Sequence, residues 1–259
     1  MADETTILEK FRLVGKVAVV TGASRGLGNA MAEALAEAGA DLIVTSRQHE
    51  RLDSICGYAE RQGRHCVPVV CDVEDTNQVR ALFKVADEKF GRLDILVNSA
   101  GTTFRAHPED YPEEEWDRVL NVNLRSVFIA CQEAGRRMIA QKCGKIINMA
   151  SMLSFTGGLV VPAYAASKGG VAQLTKALAN EWARYNIQVN ALAPGYFVTE
   201  LTRGLREDPN RQNEILPRLP AGRWGEPADL KGAVVFLASA ASDYVNGSIL
   251  VVDGGWLAR

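Results

Sequence analysis

Apolar positions along the chain follow two alternating periods. The short β-branched runs "KVAVVT" (from Lys16), "DLIVTS", "HCVPVVCD", "LDILVNSAG", "GKIINMAS", "IQVNALAPG" and "GSILVVDGG" predict seven strands. Between them, longer stretches carry a helical period. These are "GLGNAMAEALAEAG" ending at Gly39, residues 49–62, "TNQVRALFKVADEKFG" closed by Gly91, residues 113–141, and a segment reaching Tyr185. The strands are apolar throughout rather than alternating, so both faces of their sheet should be covered. Strand and helix in alternation predict an α/β fold: a single doubly wound, Rossmann-type domain with a seven-stranded parallel sheet, helices on both faces and right-handed crossovers. Nothing resembling a linker divides residues 1–259. The one long irregular connection, 196–225, carries Pro209, Pro217, Pro220 and several arginines, and is expected to form a substrate lid.

Composition narrows the partners. Apolar residues make up 47%, enough for a large core, and the formal net charge is −2. That balance offers no field for nucleic acid and no polybasic patch for a membrane surface. The opening "MADETTILEKFRLVGK" lacks the charged-then-apolar order of a signal peptide, and no apolar run approaches the roughly 20 residues of a membrane span. Five cysteines (Cys56, Cys66, Cys71, Cys131, Cys143) without a Cys-x-x-Cys pair read as free thiols in a reducing cytoplasm, and no metal site is expected.

Chemistry collects where strands end. "TGASRGLG" (Thr21–Gly28) follows the first strand and opens the first helix. Such a turn lets backbone approach a pyrophosphate at a helix N-terminus; it also suits a merely tight turn. Asp72 in "CDV" is placed to accept from an adenine amino group or to cap the next helix. "NSAG" (Asn98–Gly101) makes a flat wall for a ribose, or pins neighbouring strands through Asn98. Together, at the carboxyl ends of consecutive parallel strands, they predict a dinucleotide site. Downstream, Tyr164 and Lys168 lie four apart in a helical pattern and share a face, with Ser151 at the end of the fifth strand across the cleft.

"TGASRGLG", "CDV", "NSAG", "INMAS", "YAASK" and "APG", in this order, resemble the short-chain dehydrogenase/reductase family from about Gly15 to the C-terminus. Ser99 departs from it where a second Asn is usual; the turn should survive with altered hydrogen bonds. The resemblance implies cofactor contacts from Gly22, Ser24, Arg25, Gly26, Leu27, Gly28, Asp72, Val73, Asn98, Ala100, Gly101, Tyr164, Lys168, Pro194, Gly195 and Thr199. Relatives using NAD commonly end the second strand with an acidic residue. Here Ser46 and Arg47 stand there with Arg25 nearby, which suits a 2′-phosphate and favours NADP, with NAD as the alternative.

By the same resemblance Tyr164 is the general acid/base, Ser151 orients the reacting oxygen, Lys168 holds the ribose, and Asn123 distorts its helix and holds a water. A phenol titrates near 10, and lowering it by roughly three units needs about 4 kcal/mol. An ammonium at about 4 Å supplies that order of energy at an effective dielectric near 20, so Lys168 is expected to depress Tyr164.

"SMLSFTGG", "VPAYAASK", "LPAGRWG", "SDYVNG" and "VDGGWLAR" resemble a narrower branch, the gluconate 5-dehydrogenase and 2-dehydro-3-deoxy-gluconate 5-dehydrogenase group. This implies a small sugar acid as substrate, touched by Ser151 and Tyr164, with Arg105, Arg203 or Arg218 for its carboxylate and Phe155 and Trp256 as apolar walls. It implies a homotetramer as well. A reductase of acyl chains on a carrier protein shares the six family motifs from "TGASRGLG" to "APG", and a cofactor-binding sensor without catalysis is the second alternative.

Overall fold

The structure, a computed structural model, describes residues 6–259; the first residues of the stretch read for a leader lie outside the described residues. Seven parallel strands form one sheet in the order β3-β2-β1-β4-β5-β6-β7. They are β1 (Val17–Thr21), β2 (Asp41–Ser46), β3 (Cys66–Val70), β4 (Ile95–Asn98), β5 (Gly144–Met149), β6 (Ile187–Pro194) and β7 (Ile249–Val252). The order reverses between β1 and β4, the place where doubly wound sheets bind ligands. Register there aligns Thr21 with Asn98, and Asn98 with Asn148.

Period-two alternation within each apolar strand feeds two cores. Ala18, Val20, Leu42 and Val44 pack with Met31 and Leu35 of α1 (Gly26–Glu37), α2 (Asp53–Arg61) and α9 (Lys231–Ala238). Val17, Val19 and Ile43 face the other side, against α3 (Thr76–Phe90), α5 (Ser126–Gln141) and α6 (Pro162–Trp182). Gly91 ends α3 with φ 66°, the left-handed cap its sequence position suggests.

Two sequence expectations need correction. Cys56 and Cys66 are joined as a disulfide with Cα atoms 5.2 Å apart, leaving Cys71, Cys131 and Cys143 free. α2 lies against β3, which brings together two cysteines separated by a turn, and the thiol count no longer argues for a reducing compartment. The helical region expected at 113–141 is present as α4 (Glu113–Leu120) and α5, joined by a π-helical segment, Asn121–Arg125, that contains Asn123. Finally, 196–225 is not irregular: it contains α7 (Arg203–Glu207) and α8 (Pro209–Ile215). Ile215, Leu219 and Trp224 form a small core there with Tyr196 and Trp256 packed against it.

Candidate active site

The cofactor side of the cleft is built from close backbone contacts. Gly22 has φ 69°, and a Cβ on it would stand 2.8 Å from Ala100 Cα; a Cβ on Gly28 would collide with the Gly22 carbonyl oxygen. Only glycine allows this turn to lie against the β4 loop. Thr21, whose role sequence reasoning missed, fixes that loop: its Oγ1 accepts from the N–H groups of Ser99 (3.1 Å) and Ala100 (3.2 Å). The turn therefore stays intact with Ser99 in place. Asn98 points elsewhere. Its Nδ2 donates to Asn148 Oδ1 at 2.9 Å, and Asn148 in turn to Thr175, so the side chain pins β4 to β5 and the wall is left to Ala100 and Gly101.

Asp72 Oδ1 accepts from Glu74 N–H at 3.0 Å, shaping the turn that carries half-buried Val73. Pro194 ends β6, and Gly195 packs on Asp253 so closely that a Cβ would be 2.7 Å from its Cα. Thr199 lies opposite the glycine turn, with its Cγ2 3.7 Å from where a Gly26 Cβ would sit. These segments follow the carboxyl ends of β1, β3, β4 and β6, the edge of the sheet at which such folds bind ligands. At its far end a pocket of about 160 Å³ is lined by Ser24, Arg25, Ser46, Arg47, Gln48 and Arg51. Gln48 N–H donates to Ser46 Oγ at 3.0 Å, folding the strand end around the pocket. Arg51 escaped the sequence reading, although its four-residue spacing from Arg47 was a usable signal. Among the described residues the three arginines make no ion pair, so this pocket fits an anion such as a 2′-phosphate.

The catalytic candidates converge on the other side of the Gly101 turn. Lys168 is buried, and its Nζ donates to the Met149 carbonyl at 2.6 Å; burial pushes its ammonium down to about 8. Asn123 is fully buried in the π segment. Its Oδ1 accepts from Thr102 N–H (2.8 Å), and its Nδ2 donates to Thr102 O (2.9 Å) and Ser167 Oγ (3.1 Å). The helix is distorted where expected, and the amide serves as a clamp between the β4 loop and α6. Ser151 Oγ accepts from Leu153 N–H at 3.1 Å, leaving its own proton to donate.

Tyr164 departs from expectation. Burial pushes its phenol up, opposed by a hydrogen bond with Ser151 and by the charge of Arg105. Lys168 Nζ lies 5.6 Å from the ring centroid and donates to the Met149 carbonyl. The proposed substrate arginines separate by environment. Arg105 donates to the Leu201 carbonyl at 3.2 Å, joining the β4 loop to the 196–225 segment within reach of Tyr164. Arg203 is paired with Glu200, and Arg218 stacks 4.3 Å over Trp256. Phe155 is 52% exposed, and Tyr196 sits edge-on between Trp224 and Trp256.

A doubly wound sheet with these residues at its strand ends defines a short-chain dehydrogenase/reductase. The family model described as Enoyl-(Acyl carrier protein) reductase matches residues 22–257, and the chain belongs to this family of NAD(P)-dependent oxidoreductases. It is 50% identical over 254 residues (98% of this chain, 100% of the relative) to the 2-dehydro-3-deoxy-D-gluconate 5-dehydrogenase of Pseudoalteromonas atlantica. To the protein of that name from Bacillus subtilis it is 53% identical over 253 residues, 97% of this chain and 98% of the other. The crystal structure of a gluconate 5-dehydrogenase from Burkholderia cenocepacia, in complex with NADP and tartrate, superposes with a TM-score of 0.94. That chain is 43% identical, with 98% of this chain and 100% of that one covered.

Proposed function

We propose that the protein is an NADP-dependent dehydrogenase of six-carbon sugar acids, interconverting a secondary alcohol and a ketone at C5. The observation that carries this reading is Arg105, a cation that joins the β4 loop to the 196–225 segment by donating to the Leu201 carbonyl at 3.2 Å, taken together with Tyr164, the phenol that would handle the proton. A sugar acid presents a carboxylate and a secondary carbinol in one small molecule, matching that pair. Relatives over the whole chain length carry 5-dehydrogenase names. NADP is favoured over NAD by unpaired Arg25, Arg47 and Arg51, and a relative binds NADP together with tartrate, a hydroxy acid.

When bound, the dinucleotide supplies hydride transfer at its nicotinamide. The chain supplies the rest. Ser151 donates to the substrate oxygen and Tyr164 exchanges the proton with it. Lys168 keeps two ammonium hydrogens for the ribose, and Asn123 holds the α4–α5 junction against α6, where a water relay from Lys168 belongs to the same reading. Residues 196–225, joined to Arg105 through Leu201, act as the substrate lid. A homotetramer completes the reading; half-exposed Trp116 and Phe128 on α4 and α5 and Val251 on β7 supply apolar contact surface.

Arg105→Ala is the direct test. It should raise KM for a sugar acid by about 10-fold while changing KM for the corresponding neutral polyol less than twofold, the size expected for one charge-assisted pair. Equal changes for both would remove Arg105 from carboxylate recognition. A second reading, reduction of acyl-carrier thioesters, is favoured by the description of the matching family model. It requires an acetoacetyl thioester to outperform every sugar acid.

A further inference from the structure

Ser154 occupies no position in the reaction as described, yet its hydroxyl joins the two segments that carry it. Its Oγ accepts from the Ser151 N–H at 3.2 Å and donates to the Lys168 carbonyl at 2.7 Å. Ser154 N–H closes the same turn on the Ser151 carbonyl at 2.9 Å. Lys168 is thereby held at both ends, its ammonium by Met149 and its carbonyl by Ser154. The Ser151 hydroxyl meanwhile accepts from Leu153 N–H, a member of the same 3₁₀ turn, Met152–Ser154. Where that turn sits on α6 thus determines where the Ser151 proton points.

We propose that Ser154 is a positioning residue: through one hydroxyl it sets the separation between Ser151 and the Tyr164–Lys168 face of α6. The inference rests on the assignment of Ser151 and Tyr164 and not on the sugar-acid reading. A shift of about 1 Å between reacting groups can cost on the order of 100-fold in rate. A turn docked by a single two-way hydroxyl has little else polar to keep it in register. The Ser151 hydroxyl draws the phenol of Tyr164 toward its ionised form, so loosening the turn raises the pH at which Tyr164 acts as a base.

The test compares Ser154→Ala with Ser154→Thr, which keeps the hydroxyl, using whichever secondary alcohol the enzyme oxidises fastest. For Ser154→Ala we expect kcat for oxidation to fall at least about 10-fold. The midpoint of the rising limb of its pH profile should move upward, with the Kd for NADPH unchanged within twofold. Ser154→Thr should recover most of the rate and the original midpoint. Should Ser154→Ala fail to fold, Ser154→Cys, a weaker hydrogen-bonding group of similar size, takes its place. An unchanged kcat overturns the proposal. So does a loss of rate without a shift in midpoint, or one that Ser154→Thr leaves in place, since these describe packing alone.

Discussion

The catalytic cluster and the arginine pocket lie at the same edge of the sheet and are built on opposite principles. Around Asn123, Ser151 and Lys168 every named polar side chain already has a protein partner, and the groups are buried. Around Ser24 and Arg47 the cations have none, and all three arginines are exposed. Fixed hydrogen bonds preorganise proton transfer, which needs positions defined before substrate arrives. Unpaired guanidiniums are held for a charge that comes from outside; pairing them internally, as Arg203 is with Glu200, would cancel the selection. The difference teaches that substitutions on the first side should change rate, and on the second side preference.

The largest effect belongs to the catalytic side. Tyr164→Phe should lower kcat by about 10³-fold, the scale of a lost general acid/base, while fluorescence titration finds NADPH binding close to wild type. Retention of a tenth of the rate would contradict the role of the phenol. Next comes the pocket: Arg47→Asp should shift the NADP:NAD ratio of kcat/KM toward NAD by about 100-fold, with maximal turnover on the favoured cofactor little altered. A ratio that stays put would show that Arg47 faces solvent only.

The smallest effect is on stability and gauges what preorganisation costs. The ammonium of Lys168 is depressed from 10.5 to about 8, so the folded state disfavours the charged form. The unfolded chain therefore binds more protons between those values, and that burden, at most about 3 kcal/mol, is full below pH 8 and fades as pH rises toward 10.5. Lys168→Met should melt a few degrees above wild type at pH 7, with the gap narrowing above pH 8 and turnover lost. A gap independent of pH would mean that lost charge burial is not its source.

The sequence made the catalytic side legible because its spacing is local. Tyr164 and Lys168 share a helix face by being four apart, and Ser151 closes a strand whose end is recognisable from its apolar run. The parallel, doubly wound sheet followed from alternation, whereas its order β3-β2-β1-β4-β5-β6-β7 came only with the structure. What stayed hidden depends on contacts between distant segments. The Cys56–Cys66 link arises from α2 lying on β3, which no spacing encodes. The phenol of Tyr164 is pushed up by burial, against the pull of Ser151 and Arg105, a balance set by the segments that pack around it. The helices within 196–225 carried a readable sign, Asp208 capping the N–H of Asn210 at 2.9 Å with Pro209 in the first turn, but the proline-rich composition masked it. Asn98 shows the reverse case, where the plainer of two readings, a strand pin, is the one its side chain adopts.

The account stands most directly on the reaction itself. Initial rates should be measured for a panel of D-gluconate and its 3-deoxy-2-keto analogue, the matching polyols and an acetoacetyl thioester, each with NADP and NAD in the appropriate redox state. The account predicts that a six-carbon sugar acid with the NADP couple gives the highest kcat/KM, with the new carbonyl at C5 by NMR of the product. An acetoacetyl thioester turned over efficiently while every sugar acid is ignored would contradict it.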